Sequence, residues 1–313
     1  MRRRTFLGSA IASWLLPSGR GQTDYSAHGE LVIERPVPGK PHAGKVLAAI
    51  QPHADDIPLF AGGTVAKLLD EGYTGHLIRV TNDDSAGAGP VGTVVRANED
   101  DNNAVARVLG LKSVFNLNYP NHNMDGTSRP ELRGRLIFLF RLLKIDTVIS
   151  YDPWAHYEEN PDHYVTASAV EAAAWMAAGD KDYPEHFAAG LKPHGVREKY
   201  YFARFDQRVN RVVDITSTAD RKIEVNLVNV TQGPAGTNGA RLRKALAEKG
   251  QSLPVLGGDD ATANRGYIRQ FVLSRDAEIG SRYGLKYAEQ FHYIGPPKDE
   301  VGDYVKTHAV PPK

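Results

Sequence analysis

The stretch Gln51-Pro52-His53-Ala54-Asp55-Asp56-Ile57 sets one imidazole and two adjacent carboxylates directly behind an apolar run. Adjacent side chains point in different directions, so Asp55 and Asp56 cannot do the same job. One can bind a cation while the other faces the water beside it. His53 and Asp56, three residues apart, can reach one ion from the turn that opens a helix. This pairing suits hydrolysis, in which a divalent ion acidifies water and a nearby carboxylate accepts the proton. A third ligand must come from elsewhere in the chain. "EENPDHYVTASAV" offers it: Asn160-Pro161-Asp162-His163 opens a second helical pattern, and His163 completes two His and one carboxylate. With an open fourth position, that donor set is one used by catalytic zinc.

The elements that must position these residues alternate. Strand-like runs cover Val46–Gln51, His76–Thr81, Ser113–Leu117, Thr147–Tyr151 and Lys199–Ala203. Helical periodicity covers Leu59–Leu69, Val94–Leu109, Leu132–Leu143 and His163–Met176, with Leu132, Leu136, Leu139, Phe140 and Leu143 forming one apolar stripe. Such alternation predicts an α/β fold: a Rossmann-like three-layer sandwich with a mainly parallel sheet and helices on both faces. Parallel strands carry ligands beyond their carboxyl ends. Three runs end in polar residues, at His53–Asp56, Thr81–Asp84 and Ser150–Asp152, and these ends converge if the strands are parallel. The segment Gly233–Asn264, rich in Gly, Asn and Asp, reads as an insertion or long loop around a short helix.

Composition excludes several alternatives. The chain has 313 residues, enough for one large α/β domain or two small ones. Its 38 Lys and Arg nearly cancel its 37 Asp and Glu, and no basic stripe appears, which argues against nucleic acid or an anionic membrane as the main partner. Cysteine is absent, so thiol nucleophiles, thiolate ligands and disulfides are excluded, and a metal must be held by His, Asp or Glu. The first 22 residues read as a twin-arginine-type leader rather than a general secretory signal or the basic start of a cytosolic protein: Arg3-Arg4-Thr5-Phe6-Leu7 resembles the twin-arginine export signal, and the apolar stretch Phe6–Leu16 is too short for a stable membrane span. The leader implies the twin-arginine export machinery as a partner and a periplasmic or secreted location. Residues 23–43 read as a linker or edge segment, 44–295 as the main domain and 296–313 as a tail.

At this point the motifs resemble those of the PIG-L/LmbE-like deacetylases. The family's His-Pro-Asp-Asp-Glu appears as His53-Ala54-Asp55-Asp56-Ile57, and its His-x-Asp-His as Asn160-Pro161-Asp162-His163. Gly62-Gly63-Thr64, Arg96-x-x-Glu99 and "GLKYAEQFHYIG" fit as well, so the resemblance spans about residues 44 to 295. It implies a zinc-dependent hydrolase that removes N-acetyl groups from N-acetylglucosaminyl conjugates. Carried over, it assigns His53, Asp56 and His163 to Zn2+ (or another divalent metal) and Asp55 to the general base. Two departures spare the ligands: Ala54 for Pro and Ile57 for Glu. Asn160 replaces a His thought to stabilise the oxyanion or act as acid. An Asn can donate a hydrogen bond to a developing oxyanion but cannot supply a proton.

Further candidates carry alternatives. Arg96, Glu99 and Asn103 share a helical stripe and either bind sugar hydroxyls, as the family's Arg-x-x-Glu implies, or form an exposed helix face. Asp125 follows a strand end and can contact a sugar, while His122 reads as a loop residue. His156 and Tyr157 precede the second motif closely enough to meet the substrate, or belong only to the loop. His156 is the second candidate for the acid, beside Asp55. Ser85–Gly92 lacks the spacing of a phosphate loop and reads as a pocket rim. His28, His76, His186, His194, His292 and His308 carry no signal. Two rivals to the deacetylase remain: a non-catalytic, metal-retaining sugar-binding protein and a hydrolase of another bond.

Overall fold

Alternating burial explains the sheet. In β2 (Val46–Gln51), Leu47 and Ala49 face one hydrophobic cluster while Ala48 and Ile50 face another, all fully buried. A strand with apolar residues on both faces can only lie inside a sandwich. The computed structural model describes residues 31–232, 236–296 and 299–311. The leader expected at 1–22 lies outside these residues.

Eight strands form one sheet: β1 (Val32–Glu34), β2, β3 (Thr74–Thr81), β4 (Ser113–Tyr119), β5 (Thr147–Tyr151), β6 (Glu198–Phe202), β7 (Arg211–Asp214) and β8 (Ala288–Ile294). Their order is β1-β7-β8-β6-β5-β2-β3-β4. Among the described strands only β8 runs against its neighbours, β6 and β7; every other pairing is parallel. The helices in chain order are α1 (Asp56–Phe60), α2 (Gly62–Asp70), α3 (Val91–Leu109), α4 (Arg129–Leu143), α5 (Pro161–Met176), α6 (Glu185–Ala188), α7 (Ala219–Leu227), α8 (Asn238–Ala247), α9 (Asp260–Tyr267), α10 (Ser274–Arg282) and α11 (Glu300–His308).

Helices α2, α3 and α7 supply Val65, Leu68, Val105, Leu109 and Val225 to the cluster under Leu47, Leu77, Ile149 and Phe202. Helices α4 and α5 supply Leu132, Leu136, Phe140, Val165 and Val170 to the opposite cluster, against Ile50, Ile78, Val80 and Tyr201. The three-layer α/β fold expected from the sequence is therefore the fold observed. Each of these fully buried aliphatic side chains contributes about 1.5–3 kcal/mol relative to exposure.

The expected strands over Val46–Gln51 and Thr147–Tyr151 match residue for residue. The helix expected over Leu59–Leu69 is instead two short helices, broken at Ala61, whose φ of −142° is not helical. Residues 23–43 hold the edge strand β1, which pairs with β7. The tail contains α11, and the loop read over Gly233–Asn264 contains α8 and the start of α9. No helix among the described residues is long and apolar enough to cross a membrane.

Candidate metal centre

The parallel strands bring the three polar ends together. Beyond β2 the chain turns through His53 into α1, whose first residue is Asp56. β5 ends at Tyr151, and the following loop reaches α5 at Asn160. Asn160 caps α5 by accepting a 2.9 Å bond from the Asp162 backbone N–H, and Pro161 occupies the first helical position, where no backbone donor is needed. That cap turns His163 inward.

His53, Asp56 and His163 are buried and their ligating atoms lie within 4.8 Å of one another. His53 Nδ1 is 3.0 Å from His163 Nε2 and 3.5 Å from Asp56 Oδ2, while His163 Nε2 is 3.7 Å from Asp56 Oδ1. Two imidazole nitrogens this close share a proton or direct their lone pairs at a common cation. The remaining atoms are already held. His53 Nε2 meets Asp162 Oδ2 at 3.0 Å and Asn121 Oδ1 at 2.9 Å, which leaves Nδ1 to face the cluster. Asp56 accepts from the His53 backbone N–H at 2.8 Å and from the Tyr151 hydroxyl at 2.7 Å. Tyr151 stacks on His163 at 4.2 Å between centroids, and Glu158, itself gripped by Arg204, stands 3.1 Å from His163 Nδ1. Carboxylate–histidine pairs of this kind fix ring orientation in metal sites.

Electrostatics support a cation at this position. Burial alone would lower His53, yet the Asp162 and Asp56 carboxylates outweigh it and hold His53 well above the usual histidine range. Burial would likewise raise Asp56, but His163 and His53 together bring it below the usual carboxylate range. The cluster is thus short of positive charge and draws a proton onto His53 to supply it. A divalent ion fits that demand and this donor set. Asp55 differs from its neighbour: burial, then the Asp56 charge, push it up to about 7. A carboxylate near neutrality can take a proton and give it back.

Several expected residues do not join the cluster. His156 is exposed, and its backbone N–H donates to Asp206 O at 3.0 Å. Tyr157 is 80% exposed with φ of +61°, Asp125 is exposed on a 3-10 turn, and Arg96 is exposed on α3. Glu99 instead accepts a 3.2 Å bond from Asn116 on β4, and the chain of amides continues through Asn102 to Gln51. His122, exposed as expected of a loop residue, forms a second possible set with His53 and Asp162. Asp162 already accepts from His53, from the His122 backbone and from the Met124 backbone, so this set reads as a brace for His53. Asn160 keeps Nδ2 3.4 Å from His163 Nε2.

Sequence reasoning missed the residues that hold the turn itself. Asp83, at φ of +56° beyond β3, accepts from the Ala54 N–H at 3.2 Å and from buried Arg79 at 3.1 Å. Asn229 donates to Ala54 O from the segment after α7. His292, passed over as ordinary, is buried on β8 and pairs with Asp152 at 3.2 Å. Polar residues at strand ends were the available signal for Asp83 and Asp152. A separate surface depression, of 610 Å3, lies along β4 and α4 and includes none of the cluster.

Known proteins similar to this chain include deacetylases. Residues 48–174 match the family model described as GlcNAc-PI de-N-acetylase, PIG-L. The chain is 27% identical to the diacetylchitobiose deacetylase of Thermococcus kodakarensis over 61% of its own length and 71% of that protein. Among solved structures it resembles N,N'-diacetylchitobiose deacetylase from Pyrococcus horikoshii, with a TM-score of 0.64, 23% identity and 85% and 87% of the two chains covered. It also resembles the 4-carboxy-2-hydroxymuconate hydratase GalB of Pseudomonas putida, with a TM-score of 0.59, 19% identity and 82% and 98% covered. The second likeness shows that this fold carries more than one chemistry, so the reaction must be argued from the site. Residues 48–174 thus resemble the PIG-L family, and the fold around them is that of its solved relatives.

Proposed function

We propose that the protein is an exported, zinc-dependent hydrolase that removes an N-acyl group, most simply acetyl, from an N-acetylglucosamine-type sugar or glycoconjugate. The observation that carries this reading is the buried convergence of His53, Asp56 and His163 on one point, with a second carboxylate, Asp55, next to Asp56 in the chain. Asp56 is pulled below the usual range among the histidines, and Asp55 is pushed up to about 7 beside it. His53, Asp56 and His163 would hold the ion, which when bound polarises the amide carbonyl and acidifies the attacking water. Asp55 takes the proton from that water. It then returns the proton to the amine nitrogen as the C–N bond breaks, so one carboxylate serves as base and then acid. Asn160 Nδ2 donates to the oxygen that gains charge, a role open to it because its Oδ1 is occupied in capping α5. The diacetylchitobiose deacetylase relative supports the sugar class.

Export rests on Arg3-Arg4 and the short apolar stretch behind them. Changing both arginines to lysine should retain the chain inside the cell, and unaltered export of that variant would remove the twin-arginine route. The activity test is acetate release from N-acetylglucosamine and N,N'-diacetylchitobiose, with metal content measured on the same sample. Acetate release that stops with chelator and returns with zinc is the expected result. Metal-loaded protein that releases no acetate from either compound overturns the reading.

A further inference from the structure

Both Trp residues among the described ones, Trp154 and Trp175, stand at the same surface groove, and each is about half exposed (49% and 50%). The groove, of 430 Å3, is lined by Pro153, Trp154, Ser168, Glu171, Ala172 and Trp175. A large indole left in water needs a reason, and two at one depression mark a recognition surface. Trp154 is held firmly: its backbone N–H donates to Asp152 at 2.9 Å, and its ring lies 5.4 Å from His292 and 6.1 Å from Tyr201. Glu171 is equally fixed, with Lys199 Nζ at 2.9 and 3.0 Å and the Tyr201 hydroxyl at 2.6 Å, so its carboxylate is preorganised at the groove floor.

Helix α5 carries Ser168, Glu171 and Trp175 of the groove as well as His163 of the metal centre. Tyr164, Ser168, Glu171 and Trp175 follow one another at helical spacing on a single stripe, and Tyr164 adjoins His163. Tyr164 is 36% exposed, and from it to Trp175 the stripe runs roughly 16 Å at 1.5 Å per residue. The loop from Trp154 to Asn160 joins the other wall to the cap of the same helix. We infer that this groove binds the further sugar units of an oligosaccharide whose reacting N-acetylglucosamine unit sits at the metal centre. Pyranose rings present flat C–H faces that lie against indoles, and hydroxyl edges that bond to a fixed carboxylate and a Ser hydroxyl. The inference rests on the deacetylase reading for its reacting sugar, and its binding arm can be tested without turnover.

The experiment compares kcat/KM on the N-acetylglucosamine tetramer with that on the monosaccharide, in the parent protein and in Trp175→Ala and Trp154→Ala. Loss of one stacking platform should lower the tetramer-to-monosaccharide ratio about tenfold. In parallel, the tetramer is titrated into the full chain carrying Asp55→Asn, to stop turnover, and Trp14→Phe, so that the two groove indoles alone fluoresce. Saturable change in their emission, weakened in either Trp→Ala variant, is expected. An equal fall on both substrates, or emission indifferent to the tetramer, overturns the inference. So does a change in sedimentation of the Trp variants without a length effect, which would make the groove a subunit contact. Absence of acetate release from every substrate, together with saturable binding of the tetramer, removes the deacetylase reading and leaves the groove in place.

Discussion

Two of the buried charge clusters among the described residues are built on opposite plans. At the β8 side, Lys222 of α7 is fully buried with its Nζ 2.8 Å from Asp276 of α10 and 2.8 Å from Glu289 of β8. Glu289 also accepts from the backbone N–H groups of Gly63 and Thr64 at the start of α2, at 3.0 and 2.7 Å. Four elements are thus tied to one another by charges that the chain supplies in full. Burial would lower Lys222, but Asp276 and Glu289 outweigh it and hold the ammonium above its ordinary range. The cluster at the ends of β2 and β5 has no such resident cation among His53, Asp56 and His163. Its nearby arginines are spent elsewhere, Arg79 on Asp83 and Arg204 on Glu158. Only a proton on His53 balances it. A buried carboxylate with its own lysine is an anchor, whereas buried carboxylates converging with imidazole lone pairs are arranged for a cation from outside.

The largest effect should separate the two roles inside the second cluster. Asp55→Asn is expected to keep its metal and lose turnover by about 10²–10⁴-fold. Asp56→Asn should instead lose the metal, because it removes a ligand, and His163→Ala should do the same. Equal metal content in Asp55→Asn and Asp56→Asn, measured on protein purified alike, would erase the division of labour.

The anchor should respond in the other currency, stability. Lys222→Met strands Asp276 and Glu289 without a counter-charge, a loss of about 3–5 kcal/mol. For a chain of this size that lowers the melting temperature on the order of 10 °C. Metal content and acetate release of the folded fraction should be unchanged. A Lys222→Met protein that melts normally would show that the triad does not brace the fold, and one that loses its metal would break the contrast between the clusters.

A smaller effect is set by pH. Burial pushes Asp276 up to about 7, against the Lys222 charge that draws it down. Its folded value lies above that of the unfolded chain, about 4 for a free Asp. Between these values the folded protein keeps a proton that the unfolded chain has released. The corresponding stability is present at acid pH and is lost as pH rises through about 7. Asp276→Asn cannot titrate, so the stability of the parent relative to this variant should fall from pH 5 to pH 7 and flatten above 8. Denaturant titrations of both proteins across that range measure it, and a constant difference would place Asp276 outside the titrating set.

The same contrast explains what could be read from the amino-acid order alone. β2 and β5 were legible to the residue because each is a short apolar run bounded by polar residues, and the convergence of His53, Asp56 and His163 was legible because His53–Asp56 and Asp162–His163 are local patterns. β8 was not. Its Ala288-Glu289-Gln290-Phe291-His292 reads as polar until Glu289 finds Lys222 and His292 finds Asp152, partners 67 and 140 residues away. β1 and β7, three and four residues long, are too short for periodicity to register. Asp83 and Asn229 hold the first motif only because β3 and the segment after α7 end beside it, and no spacing in the sequence announces that.

The smallest effect concerns His156, which the sequence leaves beside Asp55 as a second candidate for the acid. An amide leaving group needs a proton to depart as a neutral amine, and Asn160 cannot give one. Four residues before Asn160, His156 is near enough in sequence to be the donor. In the structure its side chain is exposed, and its backbone is pinned to Asp206 O at 3.0 Å. Asp55, by contrast, adjoins the ligand Asp56 and is held at about 7, where it can release the proton it has taken. Turnover in His156→Ala should therefore stay within a few-fold of the parent, with the alkaline limb of the pH–rate profile in place. Were His156 the acid, its removal would cost on the order of 10²–10⁴-fold and abolish that limb. A loss of that size with metal content intact would return the acid to His156 and leave Asp55 as base alone.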